Sequence, residues 1–216
     1  MKIVIDGNIG AGKTTQLNFL KNMGARVFKE PIEEWPLKEF YEDPKRGIFP
    51  LQMAVLRTVC DQGPGVYERS LLSSRWVFWE WAKAKGLVEH VKTYEYFYDK
   101  HAWSPDLYIY LDKSPDECYL HISARHQTGD DKVSLDYLKE LDSLYRDLHT
   151  QIPCEIHIID ASRTPEEIHA KILHIINNNE RSEVLFCDGS RKEVQKPGGQ
   201  RRKVRGASCP DVCRVS

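Results

Sequence analysis

The chain has 216 residues, 31 basic and 32 acidic side chains, a net charge of −1 and 41% hydrophobic content. That length suits one domain with one core, and the even charge excludes the basic footprint of a nucleic-acid or membrane-surface binder. Six scattered cysteines (Cys60, Cys118, Cys154, Cys187, Cys209, Cys213) without a C-x-x-C pair argue against a disulfide framework or zinc site and for free thiols in a reducing compartment. From Glu180 onward the chain is basic, with nine Lys/Arg against five Asp/Glu, which leaves the preceding body at −5. No apolar run approaches membrane-spanning length, and a strand pattern beginning at Lys2 is read as leaving no leader. Cytoplasmic residence is therefore expected, with no nucleic-acid or membrane partner.

The first predicted element is a short apolar strand, Ile3 to Ile5, followed at once by Gly7-Asn8-Ile9-Gly10-Ala11-Gly12-Lys13-Thr14-Thr15 and a helix carrying Leu17, Phe19 and Leu20. Strand, glycine loop and helix in that order make a phosphate-binding loop. Its glycines let consecutive N–H groups face phosphate oxygens, and the helix adds its positive dipole end. In that arrangement Lys13 reaches the β- and γ-phosphates of a nucleoside triphosphate, and the Thr14 hydroxyl is a magnesium ligand.

Met23-Gly24 stops this helix, and Arg26 to Lys29 reads as a second strand that delivers Glu30-Pro31. An amphipathic stretch around Trp35, Leu37 and Phe40 leads to Tyr41, and the periodicity predicts a helix from Ile48 to Asp61. Gly65-Val66-Tyr67 is a third strand, delivering Glu68-Arg69-Ser70, followed by one long helix rich in aromatics (Trp76, Phe78, Trp79, Trp81) that stops at Gly86. These aromatics read as core or dimer packing. A further helix is expected from Val88 to Lys100 and a strongly apolar strand from Leu107 to Leu111. Ser114-Pro115 caps a helix through Cys118 to Arg125, broken by the polar turn Thr128 to Asp131. Leu135 to Leu148 reads as helix, Ile156 to Ile159 as the fifth strand, and Thr164-Pro165-Glu166-Glu167 caps a last helix to Ile176. Alternating strands and helices predict an α/β fold with a five-stranded parallel sheet covered on both faces.

Ligands of such sheets gather at the carboxyl ends of the strands. There the reading places the phosphate loop, Glu30 and Glu68-Arg69. A carboxylate near a γ-phosphate can take a proton from an attacking hydroxyl, and an arginine can hold that carboxylate or neutralise charge on the transferring group. Histidines 90, 101, 149, 157, 169 and 174 show no metal-ligand spacing.

With these residues in place, the sequence over residues 2 to 177 resembles the deoxynucleoside kinases: the deoxycytidine, deoxyguanosine and mitochondrial-type thymidine kinases and their viral relatives. The resemblance rests on Gly7 to Thr15, Glu30-Pro31-x-x-x-Trp35, Tyr41-Glu42-x-Pro44 with Gln52, Glu68-Arg69-Ser70 with Ser73-x-Arg75-Trp76-x-Phe78, and Leu135-x-Tyr137-Leu138. It implies a P-loop NTPase-like three-layer fold with a helical lid at about residues 125–132, within a kinase domain of residues 1–179. It implies ATP as phosphoryl donor with Mg²⁺, a deoxynucleoside acceptor and a homodimer paired through the long helices. By position, Glu30 resembles the base that deprotonates the 5′-hydroxyl, Arg69 the arginine clamping that site, and Glu68 a carboxylate holding Mg²⁺. Gln52 resembles the glutamine that pairs with the base, and Trp35 and Phe78 its aromatic walls. Tyr41 and Asp130, or equally Asp131, resemble the pair that binds the 3′-hydroxyl, and Arg125 a lid arginine over ATP.

Two departures bear on substrate. His121 and Gln127 stand where lid arginines are usual, and the lid carboxylate is one methylene shorter than the usual Glu. Ser74 stands where deoxycytidine-selective members carry an acid; its small size leaves room for a 5-methyl group, so pyrimidine deoxynucleosides including thymidine are expected. Two other readings compete: a monophosphate kinase of the thymidylate kinase type, and a nucleotide-binding regulatory module without catalysis. The tail from Glu180 reads as disordered, and its terminal Cys213-Arg214-Val215-Ser216 is a weak prenylation-like box with a poor third position.

Overall fold

Strand β1 (Lys2–Gly7) is buried along nearly its whole length, which requires sheet neighbours on both edges and helices on both faces. The computed structural model describes residues 1–125 and 130–179. Its sheet has the order β2 (Val27–Phe28), β3 (Gly65–Glu68), β1, β4 (Leu107–Asp112), β5 (Glu155–Asp160), with every pair parallel. The register sets Ile5 beside Glu68 on one side and Ile109 on the other, so the ends of β1 and β3 open together.

Because strand side chains alternate, successive residues of one strand feed different cores. Ile3, Ile5, Ile109 and Leu111 pack with α1 (Lys13–Asn22), α7 (Pro115–Arg125) and α9 (Pro165–Asn178). Val4, Tyr67, Tyr108 and Tyr110 pack with α3 (Pro44–Thr58), α6 (Val91–His101) and α8 (Leu135–Leu148). Each fully buried Ile or Leu here stabilises by roughly 1.5–3 kcal/mol relative to exposure. Two helix starts behave as their residues require: Ser134 accepts from the Tyr137 amide, and Thr164 with Glu167 closes a reciprocal capping box.

Several expected boundaries move. Helix α3 begins at Pro44 rather than Ile48 and ends at Thr58 rather than Asp61. The reason is local: Asp43 accepts from the Arg46 amide, and Pro44 takes the first helical position, where its missing N–H costs nothing. Strand β2 is limited to Val27–Phe28, and α6 starts at Val91, behind His90. A short helix α2 (Leu37–Glu42) carries Tyr41, preceded by a 3₁₀ turn at Ile32–Glu34. The aromatic helix is not continuous: α4 (Leu71–Ser73) opens into a π turn at Ser74–Trp79 before α5 (Glu80–Ala84). Trp79 is fully buried and stacks on Tyr94, centroids 3.9 Å apart, so core packing is one role of this segment.

Cys60, Cys118 and Cys154 carry free thiols. No helix among the described residues is long and apolar enough to cross a membrane. Gln127, the turn at Thr128-Gly129 and everything from Glu180 onward, with its expected disorder and prenylation-like end, lie outside the described residues.

Candidate active site

The loop after β1 takes its shape from glycine. Gly10 has φ 86°, and a Cβ there would meet the Cys118 carbonyl oxygen at 2.6 Å, so both backbone and space demand glycine. Gly12, at φ 97°, precedes α1 with open space around it, so only its dihedral demands glycine. Asn8 does not face the cavity: its Nδ2 donates to the Leu138 carbonyl at 2.8 Å and its Oδ1 accepts from the Ile9 amide, tying the loop to α8. Lys13 curls over the loop and donates to the Gly7 and Asn8 carbonyls at 3.0 and 2.9 Å. Its burial, with Arg69 beside it, lowers its pKa to about 8. The Thr14 hydroxyl donates to Glu68 Oε1 at 2.6 Å. Among the described residues no group of three His, Cys, Asp or Glu could hold a metal. One hydroxyl and one carboxylate suit a cation that takes its remaining ligands from water and bound phosphate.

Glu30 and Arg69 meet across the ends of β2 and β3. Arg69 Nε lies 2.9 Å from Glu30 Oε1, with both side chains largely buried. Arg69 has φ 63°, uncommon for a side-chain-bearing residue, and a buried network holds it there. Its Nη1 donates to the Tyr145 hydroxyl and stands 3.5 Å from Asp6 Oδ1. Asp6, fully buried, also accepts from Tyr145 at 3.1 Å, Tyr108 at 2.5 Å and the Gly7 amide at 2.7 Å. The guanidinium lies 5.0 Å over the Phe78 ring. Burial pushes the Glu30 carboxyl above the usual carboxylate range; Arg69 opposes this and the Glu68 charge adds to it.

A cavity of about 700 Å³ joins these groups to a more apolar end lined by Trp35, Leu51, Gln52, Val55, Val59, Ser74 and Phe78. Trp35 is pinned by its indole N–H, which donates to the Thr58 hydroxyl at 2.8 Å. The π turn places Ser74 and Phe78 on the cavity while Trp79 enters the core. Gln52, on α3, is buried, and its Oε1 accepts from the Ser74 hydroxyl at 2.6 Å. At the rim, Arg125 grips Asp130 with two hydrogen bonds, 2.9 and 2.8 Å. Tyr41 also lines the cavity; its burial, then the Asp130 charge, raise its pKa to about 12. Asp131 is exposed and paired with Lys132, whereas Asp130 lines the cavity.

The structure therefore brings Lys13, Thr14, Thr15, Glu30, Trp35, Tyr41, Gln52, Glu68, Arg69, Ser74, Phe78, Arg125 and Asp130 to one cavity, with Ile9, Gly10 and Gly12 on its wall. Gly7, Asn8 and Ala11 are buried behind that wall. Sequence reasoning missed Asp6, Tyr108 and Tyr145, whose contacts join residues 63 to 139 positions apart. The only signal was a charged residue closing a buried strand. His121 keeps a cavity position, its Nδ1 3.3 Å from the Gly10 carbonyl oxygen.

The family model described as deoxynucleoside kinase matches residues 3–184. Protein 143R of Invertebrate iridescent virus 6 is 32% identical over 188 residues, which covers 82% of this chain and 96% of that one. The thymidine kinase of Ictalurid herpesvirus 1 is 28% identical over 193 residues, covering 80% and 84%. Among solved structures, the M. mycoides deoxyadenosine kinase with dCMP and dCDP bound superposes with a TM-score of 0.73 at 27% identity, over 82% of this chain and 99% of that one. The phosphate loop, the sheet that carries it and these matches together place the chain in the deoxynucleoside kinase family.

Proposed function

We propose that this enzyme transfers the γ-phosphoryl group of ATP to the 5′-hydroxyl of pyrimidine deoxynucleosides, thymidine among them. One observation carries the reading: a phosphate loop, a buried Glu30–Arg69 pair and a neutral carboxamide, Gln52, line a single cavity. Phosphoryl transfer needs positioning and charge stabilisation more than covalent help. Loop amides and Lys13 hold the triphosphate, and Arg125 lies at the rim to cover it. Mg²⁺, when bound, neutralises charge on the β- and γ-phosphates, and Thr14 and Glu68 are the residues that would hold it. Glu30 accepts the 5′-hydroxyl proton; its raised basicity suits a group that must take a proton near neutral pH. Arg69 fixes that carboxylate and faces the charge that develops beside it. Tyr41 and Asp130 bind the 3′-hydroxyl, while Trp35 and Phe78 sandwich the base against Gln52. Ser74 is small and uncharged, which leaves room for a 5-methyl group.

A monophosphate acceptor fits less well, because Glu30 would oppose its charge and Arg69 is already committed to Glu30 and Asp6. A regulatory module without catalysis has no use for so closely held a carboxylate. Exposed Tyr96 and Phe97 on α6 support pairing into a homodimer, tested by light scattering. Cytoplasmic residence belongs to the same proposal, tested by imaging a tagged chain. The deciding assay is ATP-dependent phosphorylation of thymidine, deoxycytidine, deoxyadenosine, deoxyguanosine and thymidine monophosphate. Turnover of nucleosides is expected; turnover of the monophosphate alone, or none with intact ATP binding, overturns the reading.

A further inference from the structure

We propose that Lys113 is a second cation of the nucleotide site, a buried ammonium whose counter-charge is the bound triphosphate. The inference rests on the proposed kinase reading and deepens it.

Strand β4 ends at Asp112, and its register with β1 sets Leu111 beside Gly7. Lys113 is therefore delivered to the carboxyl edge of the sheet, next to the phosphate loop. It is 7% exposed, and Lys13 and Arg69 are the other buried cations among the described residues. Those two are answered within the protein. Arg69 pairs with Glu30 and Asp6, and Lys13 donates to two loop carbonyls. Lys113 has no carboxylate partner and no carbonyl acceptor among the described residues; its ammonium has one hydrogen-bond partner, His121 Nδ1, at 3.5 Å. The neighbouring Cys118 thiol supplies no anion, because burial raises its pKa to about 11. A buried ammonium without a counter-charge weakens a fold, so this one calls for an anion from outside the chain.

The cavity offers that anion a place. His121 lines it, and the same Nδ1 stands 3.3 Å from the Gly10 carbonyl oxygen. The ammonium is thus one side chain away from the space where the loop amides face phosphate. Whichever ring nitrogen of His121 carries the proton, that separation is the same, so the attraction does not depend on the tautomer. A triphosphate brings several negative charges, and in a partly buried setting a single cation at this range still attracts them. Lys13 meets the phosphates from α1, and Lys113 meets them from the turn between β4 and α7, across Gly10.

The test is Lys113→Met, which keeps an unbranched apolar stem and removes the charge. Two quantities are read: the urea midpoint of the ligand-free protein, and the calorimetric Kd for ATP and for inorganic tripolyphosphate. The midpoint should rise, since the fold no longer buries an unanswered charge. Kd should rise about tenfold for both ligands, the effect of losing one charged partner. An unchanged affinity for tripolyphosphate, or a lowered midpoint, overturns the proposal. A lysine kept only for packing gives the lowered midpoint, and one that serves the base rather than phosphate gives a loss confined to ATP. Wild-type protein that binds neither ATP nor tripolyphosphate would instead remove the kinase reading, so the two failures are distinguishable.

Discussion

The two ends of the cavity are built by different physics. At the phosphate end, full charges cluster: Lys13, Glu30, Glu68, Arg69 and Asp6, most of them buried and each held by a hydrogen bond or ion pair. At the base end the contacts are neutral: one carboxamide, one serine, and aromatic and aliphatic walls. Removing one member of a buried charge network strands its partners, whereas changing a neutral wall alters shape and one or two hydrogen bonds. The phosphate end should therefore tolerate almost no substitution, while the base end can be retuned.

That contrast can be broken by experiment. The largest expected effect is from Glu30→Gln, which should lower kcat by roughly 10²–10⁴-fold with little change in nucleoside KM, since it removes the proton acceptor and keeps the shape. An equal rise in KM would show Glu30 to be only a binding group. Next is Asp6→Ala, which leaves Arg69 partly unpaired and should cost about 3–5 kcal/mol of stability, read as a drop in urea midpoint. A wild-type midpoint would sink the network argument. At the base end, Gln52→Ala should cost about 1–3 kcal/mol in kcat/KM for nucleoside and leave ATP affinity unchanged. A parallel loss of ATP affinity would show that the ends are not separable. The smallest change is Tyr41→Phe, expected to lower nucleoside kcat/KM by about two- to tenfold through loss of one hydroxyl contact.

Charge should also separate the ends by pH. Lys13 titrates near pH 8 in the free protein, below its usual value, so above that pH a bound triphosphate must restore a proton to it. ATP affinity should then fall with rising pH, by up to about tenfold per unit, until the bound-state pKa is reached. Calorimetry at pH 7, 8 and 9 checks this, and Lys13→Met should flatten the slope. Glu30 gives the opposite limb: its carboxyl must be ionised to act, so kcat/KM rises with pH through a midpoint above the ordinary carboxylate value. Gln52→Ala should move neither limb.

The same division explains what was legible in the sequence. The phosphate loop is one contiguous run because a backbone cradle has to be, and Glu30 and Glu68-Arg69 could be placed because parallel strands deliver their ends to one edge. The five strands were legible from short apolar runs bounded by turn residues. The start of α3 was readable in principle from Asp43-Pro44, a cap and first-turn pair, but the apolar periodicity begins only at Ile48. The π turn was not, since Ser74 to Trp79 carries an ordinary helical pattern and tertiary packing widens it. Asp6, Tyr108 and Tyr145 were invisible for a plainer reason: nothing along the chain tells a tyrosine in the core from one that closes a buried charge network.

Helix α8 gives this site a history as well as a shape. Asn8 of the loop hangs on its Leu138 carbonyl, and Tyr145 from the same helix closes on Asp6 and Arg69. During synthesis the glycine motif emerges among the first residues, yet its anchors appear more than a hundred residues later. A nascent chain stopped before Leu135 would display the complete motif without the frame that holds it, so competence to grip phosphate should arrive late and abruptly as α8 docks.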